Sequence, residues 1–245
     1  MCVYKFNNDG LNIFVSTTDI GSFKTDAATK LPPAESFKRL HEKTGVPLDR
    51  IVRPNLANDC YHKKVNLADG GRGVLTSKEI IKDIDGLITT DVGLYLAITT
   101  ADCYPIVLHD FRKNILALAH GGWRGVVGRL EVSLLKRMLT LGARLEDISV
   151  TYVAGICDKC YVQHDQYLYD VFINKYRYPS NIVGKKGDFY TVDIAAASQH
   201  NLRQAGYRGS FNNLNLCNFC DEKLFSVRRD GRNTGRIITL VGMDQ

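Results

Sequence analysis

Apolar positions along the chain fall into short runs separated by polar and glycine-containing turns. LNIFVS (11–16), RIVRP (50–54), GLYLAIT (93–99), PIVLHD (105–110) and NILALAH (114–120) have strand length, as do DISVTYVAG (147–155), FYTVDI (189–194) and GRIITLVGM (235–243). The runs at 93–99, 105–110 and 114–120 are apolar at nearly every position, which predicts strands buried on both faces. Helical spacing appears elsewhere. PPAESFKRLHEKTG (32–45) starts at prolines and stops at Gly45, and RGVVGRLEVSLLKRMLTL (124–141) stops at Gly142. HDQYLYDVFINKY (164–176) and AAASQHNLRQAG (195–206) read as two further helices, the second capped by Asp193. Strands and helices alternate irregularly, so the expectation is an α/β fold with a mixed sheet. No linker or low-complexity segment divides the chain, and one domain over 1–245 is expected.

Composition narrows this picture. No apolar run approaches the ~20 residues that cross a bilayer, so no membrane partner is expected. The opening MCVYKFNNDG has neither a basic segment nor an apolar core of the kind that directs export, and the expected location is the cytoplasm. A net charge of +6 suits an anionic small substrate. The charges are scattered, with no aromatic-studded basic stripe, which argues against a nucleic-acid partner. Seven cysteines are an odd number, better read in a reducing compartment as thiols or metal ligands than as a disulfide framework.

Candidate chemistry sits at strand ends. Cys103 follows one apolar run, with Asp102 before it and Pro105 marking the start of the next; His120 closes a third run just before Gly121-Gly122. If 105–110 and 114–119 pair as a hairpin, Cys103 and His120 return to the same edge of the sheet. A thiolate and an imidazole there can hold a metal or act as nucleophile and base. Two Cys-x-x-Cys pairs, Cys157/Cys160 and Cys217/Cys220, can build a four-thiolate zinc site or remain reduced, half-buried thiols. Cys2 and Cys60 carry no readable signal. His109 reads as a satisfied strand histidine, and His41, His164 and His200 as exposed helix residues.

TTADCYPIVLHD followed by AHGGWRG resembles the paired signature of the laccase-domain family. That family is also called multicopper polyphenol oxidase or peptidoglycan-editing factor, and its members are described as purine nucleoside phosphorylases. The resemblance continues through DGLITTDVGLYLAI, AGICDKCYVQ and LFSVRRDGRNTGRIITLVGM, from about Asp85 onward. It implies a single-domain, four-layer α/β/β/α sandwich with mixed sheets, and a metal held by one cysteine and two histidines. Carried onto this chain, those ligands are Cys103, His120 and a histidine of a Gln-x-His stretch. In RIVRPNLANDCYHKKVNL, Asn58 falls in that register and His62 lies four residues later. The expected catalytic and metal set is therefore His62, Cys103 and His120, with a missing third ligand as the alternative.

Such a site would take zinc, or copper, and keep one position open for water or substrate. The implied reaction joins phosphate to adenosine, inosine, guanosine or methylthioadenosine, releasing base and ribose 1-phosphate, with adenosine deamination as a companion activity. Arg228 and Arg229 are the candidates for phosphate, since a guanidinium grips an oxyanion as a fork; Trp123 is the candidate wall of the base pocket. The rivals are a copper-dependent phenol oxidase, a thiol hydrolase using Cys103 and His120, and a binding protein with a degenerate site.

Overall fold

The computed structural model describes residues 2–8, 10–26, 32–75 and 80–244. In chain order the elements begin with β1 (Val3–Asn8), β2 (Leu11–Ser16), α1 (Ala34–Thr44), β3 (Ile51–Val52) and β4 (His62–Lys64). They continue with β5 (Gly86–Thr89), β6 (Tyr95–Thr100), β7 (Tyr104–Asp110), β8 (Ile115–Gly121), α2 (Trp123–Val127) and α3 (Leu130–Thr140). Next come β9 (Ile148–Gly155), β10 (Val162–Gln163) and α4 (Tyr167–Tyr169), which runs on as a π-helical turn over Asp170–Lys175. The last are β11 (Val183–Lys186), β12 (Phe189–Val192), α5 (Ile194–Gln204), β13 (Phe211–Cys217), α6 (Val227–Asp230) and β14 (Ile237–Met243).

Two sheets carry the fold, ordered β1-β2-β14-β6-β3 and β13-β9-β7-β8-β5-β4. Both are mixed: β3 with β6, β4 with β5 and β9 with β13 run parallel, while the remaining pairs in them are antiparallel. Side-chain parity builds the layers. On β7, Val107 points to the facing sheet while Ile106 and Leu108 point to the helices; on β8, Leu116 and Leu118 face the sheet, and Ile115, Ala117 and Ala119 the helices. Strands with both faces covered must be apolar throughout, which is why these runs were legible. Helices α2, α3 and α5 cover the six-stranded sheet, and α1 packs Phe37 and Leu40 on the outer face of the five-stranded sheet. Three apolar interfaces thus separate the four layers of an α/β/β/α sandwich. Burying each of these large side chains contributes about 1.5–3 kcal/mol.

Several elements differ from the sequence expectation. The helix expected over 124–141 is two helices, because Arg129 takes φ 61° between them. At Gly128 a Cβ would meet the Arg124 carbonyl and the Cys60 Cβ, both at 3.1 Å, so the break lets the Cys60 loop close against the helix. The helix expected from His164 begins only at Tyr167, leaving His164 exposed in a bend. His200 is half-buried against Tyr178 rather than exposed. Strands β1, β4, β5, β10, β11 and β13 were not anticipated; β1 and β13 are sheet-edge strands rich in polar residues. A third sheet, β10-β12-β11, was not foreseen either. Among the described residues, no helix is long and apolar enough to cross a membrane.

Candidate functional site

The hairpin forms as the strand pattern requires. Pro105 pairs with His120 and Tyr104 with Gly121, so Cys103 and His120 meet at one edge of the six-stranded sheet. Both side chains lie against Gly122. Gly122 passes close to both: a Cβ there would sit tight against Cys103 Sγ at 3.2 Å and in contact with His120 Cε1 at 3.5 Å.

Behind the imidazole stands Asp85, which sequence reasoning missed. Its carboxylate is fully buried and hydrogen-bonds His120 Nδ1 at 2.8 Å. It also accepts the backbone N–H groups of Ala57, Asn58 and Asp59 at 2.9–3.0 Å. Burial alone would lift its pKa; the His120 hydrogen bond and these N–H donors outweigh that and hold the carboxyl below its usual range. Burial alone would likewise discharge His120, yet its neighbours Cys103 and Asp85 push its pKa up to about 10. The Asp85 hydrogen bond thus favours the protonated ring. An acidic residue heading a fully apolar strand was the available signal, but nothing in the sequence ties position 85 to position 120.

Asp102, on the turn before Cys103, has φ 92°, a conformation that L residues rarely adopt. Its carboxylate accepts Ser226 Oγ at 2.6 Å and the Arg228 N–H at 2.7 Å, and its carbonyl accepts the Ile156 N–H at 2.8 Å. The strained turn is clamped from two sides, and the clamp brings α6 to the site.

The edge opens into a cavity of about 800 Å³. Cys103, His120, Gly122 and Trp123 line one side, and Tyr161 with Arg228 another. Among the described residues its cationic lining is Lys24, Arg53, Arg124, Arg228, Arg232 and Arg236, against a single acidic residue, the already engaged Asp102. Arg53 is 2% exposed. Its Nε donates to the Gly73 carbonyl at 2.8 Å, its Nη1 to Thr25 Oγ1 at 3.3 Å, and its Nη2 has no partner among the described residues. Burial lowers its pKa to about 10, which leaves it charged at neutral pH. Thr100 Oγ1, on another cavity-lining residue, also lacks a partner among the described residues. Open donors of this kind at a cavity suit a polar or anionic ligand.

The other candidates divide. Arg228 lines the cavity, with its guanidinium over the Tyr161 ring at 5.2 Å and Nη1 donating to the Val162 carbonyl. Arg229 does not line it. Its guanidinium holds the carbonyls of Asn218, Phe219, Asp221 and Leu224 and the Asp230 carboxylate, which makes it a rivet between α6 and the loop after β13. Trp123 lines the cavity, edge-on to Tyr167 and under Arg124.

His62 is not brought to the site. It pairs with Gly86, and residues 86 and 88 of β5 point to the helix layer; accordingly His62 Nε2 meets Ser133 Oγ of α3 at 3.0 Å. His120 lies on the opposite parity, with Leu116 and Leu118. Burial and Arg137 push the His62 pKa down. Asn58 lines the cavity instead, with φ 60°. The family's one-cysteine, two-histidine set is therefore incomplete: Cys103 and His120 offer two strong donors, and no other His, Cys, Asp or Glu among the described residues completes a three-ligand group with them. The four cysteines of the two Cys-x-x-Cys pairs do come together, with ligand atoms all within 4.8 Å of one another.

The four-layer sandwich with a thiol–imidazole edge opening into a cationic cavity defines a laccase-like α/β protein. The family model described as "Multi-copper polyphenol oxidoreductase laccase" matches residues 15–244, and the chain belongs to that family. It is 32% identical over 215 residues to a purine nucleoside phosphorylase of Deinococcus radiodurans, covering 86% of this chain and 78% of that protein. It is 28% identical over 236 residues to "Adenosine deaminase RL5" of an unknown prokaryotic organism, covering 94% and 88%. The crystal structure of YlmD from Geobacillus stearothermophilus superposes with a TM-score of 0.85 at 25% identity, covering 96% of this chain and 93% of that one.

Proposed function

We propose that the chain is a cytoplasmic, single-domain purine nucleoside phosphorylase. The observation that carries this reading is the cationic cavity, with an orphaned donor on Arg53, opening onto the Cys103–His120–Asp85 line. Phosphate is the ligand that suits several guanidiniums at once, and the cavity volume accommodates a nucleoside beside it. Arg53 and Arg228 grip the oxyanion, Arg53 taking the role that the sequence suggested for Arg229. Trp123 and Tyr161 present aromatic faces to the purine.

In the reaction a phosphate oxygen bonds to C1′ of the ribose as the C1′–N9 bond breaks, and the electron pair leaves with the base. Protonation of the departing base lowers the barrier. His120 supplies that proton; Asp85 fixes its ring and balances its charge. Two strong donors at Cys103 and His120 do not make the three-ligand site of a resident catalytic zinc or copper, so no step is assigned to a metal. The same consideration leaves the phenol-oxidase reading with the weaker basis. Seven free cysteines, including four clustered ones, support a reducing location.

One relative's name points to adenosine deamination, which would place C6 of the base rather than C1′ beside His120. The aligned thiol, imidazole and carboxylate favour a second reading, a thiol hydrolase, in which Cys103 Sγ attacks an ester or amide carbonyl. Incubating the purified protein with inosine or adenosine, with and without phosphate, decides among these. Base release that depends on phosphate and yields ribose 1-phosphate is expected. Ester hydrolysis with an acyl-enzyme burst and no base release would replace phosphorolysis by the thiol reading, and inertness in all assays would leave a binding protein.

A further inference from the structure

We propose that Cys157, Cys160, Cys217 and Cys220 bind one structural zinc ion that clasps the loop after β9 to the loop after β13. The topology produces the juxtaposition. Strands β9 and β13 are parallel neighbours, with Cys217 paired to Gly155, so both end at the same edge of the sheet. Each is followed at once by a tight Cys-x-x-Cys turn, one over Asp158-Lys159 and one over Asn218-Phe219. The Cys160 N–H closes on the Cys157 carbonyl at 3.1 Å and the Asp221 N–H on the Cys217 carbonyl at 2.9 Å, which folds each pair of thiols toward the other.

The sulfur geometry suits a tetrahedral ion. With Zn–S near 2.3 Å, the sulfurs of a tetrathiolate site lie about 3.8 Å apart. Here all four lie within 4.8 Å of one another, with Cys160 and Cys220 in contact at 3.3 Å. Two disulfides would need two isolated close pairs, whereas here every sulfur neighbours the other three. The Cys157 N–H points at Cys217 Sγ at 3.4 Å, the kind of amide donor that supports a metal-bound thiolate. Each thiol releases its proton to solvent as it binds, and Zn²⁺ with four thiolates carries two net negative charges. Arg229, anchored on the carbonyls of Asn218 and Phe219 within the second turn, places a guanidinium beside that charge.

What the clasp holds is the cavity wall. Tyr161 follows Cys160 and lies under Arg228, whose Nη1 reaches the Val162 carbonyl; Arg229 ties the second turn to α6. The ion would thus fix Tyr161 and Arg228 relative to the Asp102–Cys103 turn, a positioning role separate from the chemistry at His120. The proposal concerns metal content and does not depend on which reaction the cavity performs.

The test uses full-length protein purified under reducing conditions, with elemental analysis and cobalt replacement. The expected results are one zinc per chain and, with Co²⁺, the thiolate charge-transfer and tetrahedral d–d bands of a sulfur-rich site. Native alkylation should modify at most three of the seven cysteines, and all seven after a chelator and mild denaturant. Zinc should persist in Cys103→Ser and His120→Ala, and vanish in the double variant Cys160→Ser/Cys220→Ser together with a lower melting temperature. Should that double variant fail to fold, stepwise release of zinc from the wild-type protein by a mercurial gives the same answer. Seven freely alkylated thiols in the native protein, intact-mass evidence for disulfides, or zinc lost with Cys103→Ser would each overturn the proposal.

Discussion

Two cysteine sites lie at strand ends on the same sheet, and they are built in opposite ways. At the Cys103–His120 edge, a local hairpin brings unlike groups together, backs them with the buried Asp85, and leaves one side open to a cationic cavity. At the Cys157/Cys160/Cys217/Cys220 clasp, parallel strands bring together four like groups whose ligand atoms all lie within 4.8 Å of one another. The contrast is that of reactive and structural sites generally: unlike groups with an open side can do chemistry, whereas a closed set of equal donors can only hold.

The sharpest way to break this comparison is to remove the open site. His120→Ala should lower phosphate-dependent base release by about 10²- to 10⁴-fold, the usual scale for a lost acid or base, and Cys103→Ser, which alters the neighbour of that ring at the cavity, by less. Metal at the clasp should be unchanged. Wild-type turnover in either variant would move the chemistry elsewhere.

The cavity arginines come next. Arg53→Met should raise the KM for phosphate about 10- to 100-fold, the equivalent of one charge-assisted hydrogen bond of about 1.5–3 kcal/mol, with little change in the KM for nucleoside. Arg229→Ala should show the reverse pattern: a lower melting temperature from four ungripped carbonyls, and a nearly unchanged phosphate KM in the protein that remains folded. Equal kinetic damage from both would mean that the cationic cavity is not the anion site.

Asp85 sharpens the comparison through pH. Because His120 is raised from 6.5 to about 10 in the folded protein, the stability it contributes is fully present below the unfolded value and is lost as pH rises through about 10. Urea midpoints should therefore fall across that window. In Asp85→Asn, with the carboxylate that raises the imidazole gone, the fall should begin at lower pH. A profile identical to wild type would show that Asp85 does not hold the imidazolium.

The smallest effects concern the missing ligand. His62→Ala should leave activity near wild type, because its ring faces Ser133 in the helix layer. Asn58→His should raise zinc affinity at the Cys103–His120 edge, read by isothermal titration with the clasp already loaded. Loss of activity in His62→Ala would bring that residue back to the site against the strand parity.

How much of this was legible follows from how far each contact reaches along the chain. The apolar runs, the helix stops at Gly45 and Gly142, the Asp193 cap and the Cys103–His120 hairpin depend on neighbours within a few tens of residues, and periodicity with turn chemistry was enough to read them. The family signature, itself a local pattern, carried the four-layer fold and the kind of reaction. Strands β1 and β13 escaped notice because at a sheet edge polar residues are tolerated and the pattern weakens.

Other features were decided only by the tertiary structure. Whether His62 or Asn58 reaches the cavity turned on strand parity, which depends on a register with β5 that no local signal specifies. Arg53 and Arg229 are both arginines flanked by ordinary residues. One became a buried cavity donor and the other a rivet because of where distant carbonyls lie. Asp85 and His120, 35 residues apart, form their ion pair only once β5 and β8 are side by side. The two Cys-x-x-Cys pairs were visible as motifs, but their meeting required β9 and β13 to be parallel neighbours. Sequence by itself settled which groups are available and which local turns present them; packing settled which of them come together in space, since proximity across the fold is set by the register of whole strands.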